Sequence, residues 1–207
     1  MQISSLHPRC WPLMLIAGLA PFAMADDTDT ASAVFAAGCF WCVEEAYDKV
    51  DGVVATTSGF SGGDVADPDY DQVVAGGTGH AEAVRVEYDP ARVDYATLLY
   101  VFWRNVDPFA ENRQFCDQGP SYRSALFPMN AEQRRLAESS REEVAERFDR
   151  DVATEINDFD AFYPAETYHQ NFYDKNPLRY RFYKSACGRS ERLEEIWGDE
   201  AEASSTS

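Results

Sequence analysis

Residues 33–50, Ala33-Val34-Phe35-Ala36-Ala37-Gly38-Cys39-Phe40-Trp41-Cys42-Val43-Glu44-Glu45-Ala46-Tyr47-Asp48-Lys49-Val50, join an apolar run to a helical pattern. Ala33 to Ala37 reads as a short buried strand, and Val43, Ala46, Tyr47 and Val50 recur at the i, i+3, i+4, i+7 spacing of one helix face. Asp51-Gly52 stops that helix. Cys39 therefore falls at a strand-to-helix junction, where free backbone N–H groups and the positive end of the helix dipole are expected to stabilise a thiolate. Gly38 lets the backbone turn sharply in front of it. Cys42 completes a C-x-x-C pair with three readings: a redox dithiol, half of a zinc site, or a nucleophile with a helix-facing neighbour. The zinc reading lacks a second closely spaced pair, since Cys116 and Cys187 lie far apart in the sequence. The dithiol reading lacks the Trp that thioredoxin-like motifs ordinarily carry before the first cysteine.

Working outward, Val53 to Phe60 reads as a strand followed by a polar loop around Asp67-Pro68-Asp69. From His80 to Tyr88 the residues alternate, so His80, Glu82, Val84, Val86 and Tyr88 share a face and a carboxylate stands in line with core residues. Asp94 is placed to cap a helix through Leu98, Leu99, Phe102 and Trp103 that ends before Pro108. A polar loop (111–120), a strand (121–127), a long helix from Ala131 to Phe148 capped by Asn130 and a strand (152–159) come next. An aromatic-rich stretch and a helix from Glu191 to Trp197 follow, with a disordered acidic tail expected over 199–207. Helices and strands mix without a glycine-rich phosphate fingerprint, which predicts a two-layer α+β domain rather than a dinucleotide-binding one.

The chain has 207 residues, 18 Lys+Arg and 36 Asp+Glu, for a formal net charge of −18. That supports one globular domain and argues against nucleic acid or anionic membranes as partners, which need clustered cations. Residues 1–25 carry a short apolar run, Leu13 to Ala20, and end in Ala23-Met24-Ala25, an A-x-A signal-peptidase site. The expectation is an exported, periplasmic or secreted protein whose domain spans 26–198. Its four remaining cysteines are Cys39, Cys42, Cys116 and Cys187. In an oxidising compartment an even cysteine count ordinarily means structural disulfides, so a disulfide-stapled binding module is one reading to test.

Gly38-Cys39-Phe40-Trp41 resembles the catalytic motif of the peptide methionine sulfoxide reductase A family. So, in the same order, do Gly76-Gly77-Thr78-Gly79-His80-Ala81-Glu82, then Asn112-Arg113-Gln114 with Asp117, Gly119 and Tyr122-Arg123-Ser124, then Phe162-Tyr163-Pro164-Ala165-Glu166 with His169-Gln170. The resemblance implies a two-layer α+β sandwich with a ferredoxin-like core and thiol-dependent reduction of methionine-S-sulfoxide, free or in oxidised proteins. It also implies a monomer with no bound cofactor or metal, regenerated by an external thioredoxin-like reductant.

On the same resemblance, Cys39 is the nucleophile and Glu82 the acid that protonates the departing oxygen, which requires a carboxyl kept neutral by its surroundings. Tyr70 and Tyr122 match the tyrosines that hydrogen-bond that oxygen. Phe40 and Trp41 resemble the pocket for the S-methyl group, and Asp117 matches an aspartate that binds substrate backbone. The sulfenic acid left on Cys39 condenses with a second thiol. Cys187 fits that role by position near the C-terminus, with Cys116 and Cys42 as alternatives. His80 reads as structural, and the part played by Glu166 and His169 is not derivable from the sequence. The rival activity is a thioredoxin-like disulfide oxidoreductase built on Cys39 and Cys42.

Overall fold

A computed structural model describes residues 1–2 and 30–203. The expected signal segment, beyond its first two residues, and residues 204–207 lie outside it. Strand β1 (Ala31–Ala37) leads into helix α1 (Phe40–Asp48), followed by β2 (Val53–Ser61), α2 (Tyr70–Ala75), β3 (Ala81–Tyr88) and α3 (Tyr95–Arg104). A small hairpin, β4 (Arg113–Gln114) with β5 (Asp117–Gln118), precedes β6 (Ser124–Phe127), α4 (Ala131–Phe148), β7 (Glu155–Ile156) and β8 (Phe162–Pro164). The described chain closes with α5 (Phe172–Lys175), α6 (Pro177–Ala186) and α7 (Arg189–Trp197).

Six strands form one sheet in the order β7-β6-β1-β3-β2-β8, antiparallel except for β6 with β7. Strand β1 is apolar without alternation because both its faces are covered. Ala33, Phe35 and Ala37 pack with α1, α3, α4 and α7, whereas Val34 and Ala36 pack with Ala81, Ala83, Ala125 and Phe127 under Phe159 and Phe162. Phe35 is fully buried and its ring stacks 4.8 Å from that of Tyr47. Burial of a side chain of that size contributes about 1.5–3 kcal/mol. The architecture is thus mixed α and β around a central sheet.

Asp94 and Asn130 cap α3 and α4 as expected, accepting from the N–H groups of Thr97 and Gln133. Four local expectations change. The polar loop after β2 contains α2, started by a reciprocal capping box between Asp69 and Gln72. The loop expected over 111–120 folds back as the β4–β5 hairpin, and the strand expected over 152–159 shortens to β7. Finally, the acidic tail expected to be disordered from 199 begins as packed chain. Glu200 accepts from both Arg104 and Arg147, and the Glu202 N–H donates to the Arg104 carbonyl at 2.9 Å. Its charge is matched by cations on α3 and α4, which composition alone does not reveal.

Candidate active site

Gly38 has φ 78°, a left-handed value that favours glycine, and a Cβ there would stand 2.5 Å from Cβ of Gln114. The turn it makes places Cys39 as N-cap of α1, with the Cys39 carbonyl accepting from the N–H groups of Cys42 and Val43. Glu82 comes from the middle of β3, on the face that carries Val84 and Val86, and points beneath the start of α1. Its Oε2 accepts from the Phe40 N–H at 3.0 Å and the residue is 1% exposed. Burial pushes its carboxyl up to about 8, with the Phe40 N–H opposing and the negative charges of Asp117 and Cys42 adding. At neutral pH Glu82 is therefore a neutral acid that can donate its proton.

Tyr70, the first residue of α2, is held by its backbone N–H donating to Oε1 of Glu166 at 3.1 Å. Tyr122 lines the same cavity, and burial pushes Tyr70 up to about 12 and Tyr122 still further, so both stay neutral donors. Trp41 lies 3.8 Å from the Phe172 ring, centroid to centroid, and its Nε1 donates to Nδ1 of His169 at 3.1 Å. Burial lowers the His169 pKa, and a ring nitrogen that accepts fixes the neutral tautomer with the proton on Nε2. Glu166 and His169 thus support Tyr70 and Trp41 from behind. His80 accepts from the Gly63 N–H through Nδ1 and lies 2.8 Å from the Val65 carbonyl, which is a structural role.

Cys39, Phe40, Trp41, Tyr70, Glu82, Asp117, Tyr122 and Tyr183 together line a cavity of about 50 Å³. A single water occupies about 30 Å³ in the liquid, so this space suits a small functional group. Seven of those residues were expected from the sequence. Tyr183 was not, because it sits in an aromatic, Arg-rich run that reads only as composition. It arrives on α6, and its hydroxyl donates to Oδ2 of Asp117. A larger cavity of about 520 Å³ between α3, α4 and α7 holds no thiol.

The cysteines depart from expectation twice. Cys39 is buried, and its thiol is pushed well up rather than down. Loss of solvation is the main cause, with the neighbouring Cys42 and the Glu82 charge adding and a hydrogen bond from Tyr183 opposing. Cys42 is brought down to about 7 by the hydrogen bond it shares with Cys39, against burial, with further help from the charge of Arg189, from Tyr180 and from Lys184. The two thiols are thus pushed in opposite directions, Cys39 up and Cys42 down. The second departure is that Cys187 is bonded to Cys116 and is not a free thiol facing Cys39. Cys116 is exposed and its Sγ lies 3.7 Å from Oδ1 of Asp117, so this disulfide borders the cavity wall. Arg189, two residues after Cys187, is 2% exposed, donates to the Asn105 carbonyl and lies over the Phe115 ring at 4.5 Å. It forms no ion pair among the described residues.

Residues 31–201 match the family model for peptide methionine sulfoxide reductase. The chain is 46% identical over 187 residues to peptide methionine sulfoxide reductase MsrA 2 of Caulobacter vibrioides, covering 90% of this chain and 94% of that protein. Among solved structures it is similar to reduced Mxr1 of Saccharomyces cerevisiae, with 32% identity, a TM-score of 0.69 and coverage of 73% of this chain and 88% of that one. Methionine sulfoxide reductase A of Corynebacterium diphtheriae gives 31% identity, a TM-score of 0.67 and coverage of 74% and 78%. A buried thiol beside a neutral carboxyl and two neutral tyrosines, in a chain matched from first strand to last helix, belongs to the peptide methionine sulfoxide reductase family.

Proposed function

We propose that this protein reduces the S-epimer of methionine sulfoxide, free and in oxidised proteins, with Cys39 as nucleophile. The observation that carries the reading is the neutral Glu82 beneath the Cys39 helix start, because a sulfoxide oxygen leaves only if it gains a proton. Phe40 and Trp41 take the S-methyl group, where sulfur beside aromatic rings gains up to about 1.5 kcal/mol. Tyr70 and Tyr122 donate to the oxygen. Asp117, itself fixed by Tyr183, is placed for the substrate backbone.

As Cys39 sulfur attacks, its proton passes to the neighbouring Cys42 thiolate and Glu82 protonates the oxygen. The oxygen transfers to Cys39, methionine leaves, and Cys39 is a sulfenic acid. That acid condenses with a thiol, releasing water and forming a disulfide. Cys42 is the free, buried thiol one helical turn from Cys39, so it closes the first disulfide. Cys187, with Cys116, then takes the oxidation outward by thiol–disulfide exchange. Yeast Mxr1 has been solved in complex with Trx2, and a protein thiol of that class is the donor proposed here.

The remaining proposals are that the protein is exported, acts as a monomer, and uses no bound cofactor. The finer fold reading, a two-layer ferredoxin-like core, is supported by the order β6-β1-β3-β2 with α1 and α3 as connections.

Dithiothreitol-driven reduction of each epimer, separated by chromatography, tests the reading. The wild type should consume the S-epimer alone and Cys39→Ser neither. Consumption of the R-epimer, or an active Cys39→Ser variant, contradicts it.

A further inference from the structure

Between Asp174 and Glu191 the chain carries Lys175, Arg179, Arg181, Lys184 and Arg189 and no Asp or Glu, within a protein of net charge −18. Helix α6 occupies the centre of this stretch and has two different faces. Its inner face belongs to the site: Tyr180 donates to Glu45, Tyr183 to Asp117, and Lys184 pairs with Glu45 and Glu202. Its outer face presents Leu178, 81% exposed, and Phe182, 78% exposed, one turn apart. Arg179 and Arg181 flank them, both exposed and without an ion pair among the described residues. Large apolar side chains left this open, next to arginines, are the composition of an interface core rather than of ordinary surface.

Position says what the interface serves. Cys187 is the C-cap of α6, its N–H donating to the Tyr183 carbonyl at 3.0 Å, so it lies below Tyr183 at the end of the inner face, roughly 7–8 Å beyond Phe182 along the helix axis at 1.5 Å per residue. Its partner Cys116 is exposed. A partner seated on the outer face of α6 therefore reaches the disulfide around the C-terminal end of the helix, where Cys116 is exposed. The charge says what kind of partner fits. An acidic protein meets like charge over most of this chain and opposite charge here, so the patch both attracts it and fixes its orientation.

We propose that the outer face of α6, Leu178, Arg179, Arg181 and Phe182, is the docking surface for the protein thiol donor, a thioredoxin-like protein with an acidic-rimmed apolar surface around its attacking cysteine. This rests on the reading that such a donor regenerates the enzyme. Docking brings the donor thiolate onto one sulfur of Cys116–Cys187. The mixed disulfide so formed is then attacked by the donor's second thiol, which leaves both enzyme cysteines as thiols and the donor oxidised.

The test is steady-state turnover of methionine-S-sulfoxide with bacterial thioredoxin, thioredoxin reductase and NADPH, run beside turnover with dithiothreitol. It compares wild type, the pair Arg179→Glu/Arg181→Glu, and the pair Leu178→Ser/Phe182→Ser. Each pair should raise the KM for thioredoxin roughly tenfold or more, leaving dithiothreitol-driven turnover and the KM for methionine sulfoxide unchanged. Added salt should weaken thioredoxin use by the wild type and not by the charge-reversed pair. Unchanged thioredoxin kinetics in both pairs overturns the proposal. So does a raised KM for an oxidised protein substrate with that for thioredoxin unaltered, or binding of anionic phospholipid vesicles by the wild type that both pairs abolish. A wild type that turns over with dithiothreitol and not with thioredoxin overturns the donor reading itself.

Discussion

Glu82 has two consequences that can be measured separately. Its proton is needed on the oxygen, so single-turnover reduction should fall as pH rises through about 8, where the buried carboxyl ionises. Glu82→Gln keeps the acceptor for the Phe40 N–H but cannot transfer a proton, so it should lose on the order of 10²–10⁴ in rate and lose the alkaline limb with it. The same burial makes stability fall with rising pH as well. Between the unfolded value of about 4.3 and the folded value of about 8, the folded state binds the extra proton, so stability falls with rising pH and is lowest above 8. Glu82→Gln should therefore melt at or above the wild-type temperature at pH 8.5 in a calorimetric scan. A melt well below wild type there would mean the carboxyl is not held neutral by burial. Glu82 was legible in the sequence because strand alternation puts it among Val84 and Val86 on one face. Tyr183 and Arg189 were not, since no local pattern states that residues more than sixty positions from Asp117 and Cys42 return beside them. The low Cys42 thiol was missed because the N-terminus argument treats Cys39 alone and takes no account of its burial.

The junction from β1 to α1 decides where Cys39 stands, and Gly38 is its least replaceable backbone position. An alanine there adopts an unfavourable φ and presses its Cβ onto Gln114, whose carboxamide is itself fixed by the backbone of Asp107 at 2.9 and 2.8 Å. Gly38→Ala should cost roughly 1–3 kcal/mol, or on the order of 2–10 °C in melting temperature, and displace the thiol from Glu82. Thermal denaturation checks the first and the dithiothreitol-driven rate the second; an unchanged melt and rate would show that the turn tolerates a side chain. At this scale long periodic elements were readable, as α3 and α4 show with their Asp94 and Asn130 caps. Short ones were not. Helix α2 is six residues long and the β4–β5 hairpin has two residues a side, too few for periodicity to register, so both were read as loop. Helix α6 hid for another reason: its buried face is tyrosine and lysine bonded to carboxylates, which carries no apolar stripe.

Across the molecule, the two cysteine pairs stand at different depths. Cys39 and Cys42 are free and buried, while Cys116 and Cys187 are joined with Cys116 at the surface. The proposed relay would carry oxidising equivalents from the buried pair to the exposed Cys116. After Cys187 the chain is fastened to α3 and α4, with Trp197 Nε1 donating to the Val106 carbonyl and Glu200 bridging Arg104 and Arg147. The sequence named all four cysteines but could not pair them, because pairing depends on how α6 folds back. The most direct test is the number of methionines formed by fully reduced, desalted enzyme given excess methionine-S-sulfoxide and no reductant. The wild type should form about two per chain, one for each dithiol consumed, Cys187→Ser about one, and Cys39→Ser none. Two methionines from Cys39→Ser, or none from a wild type whose thiols are intact, would contradict the account.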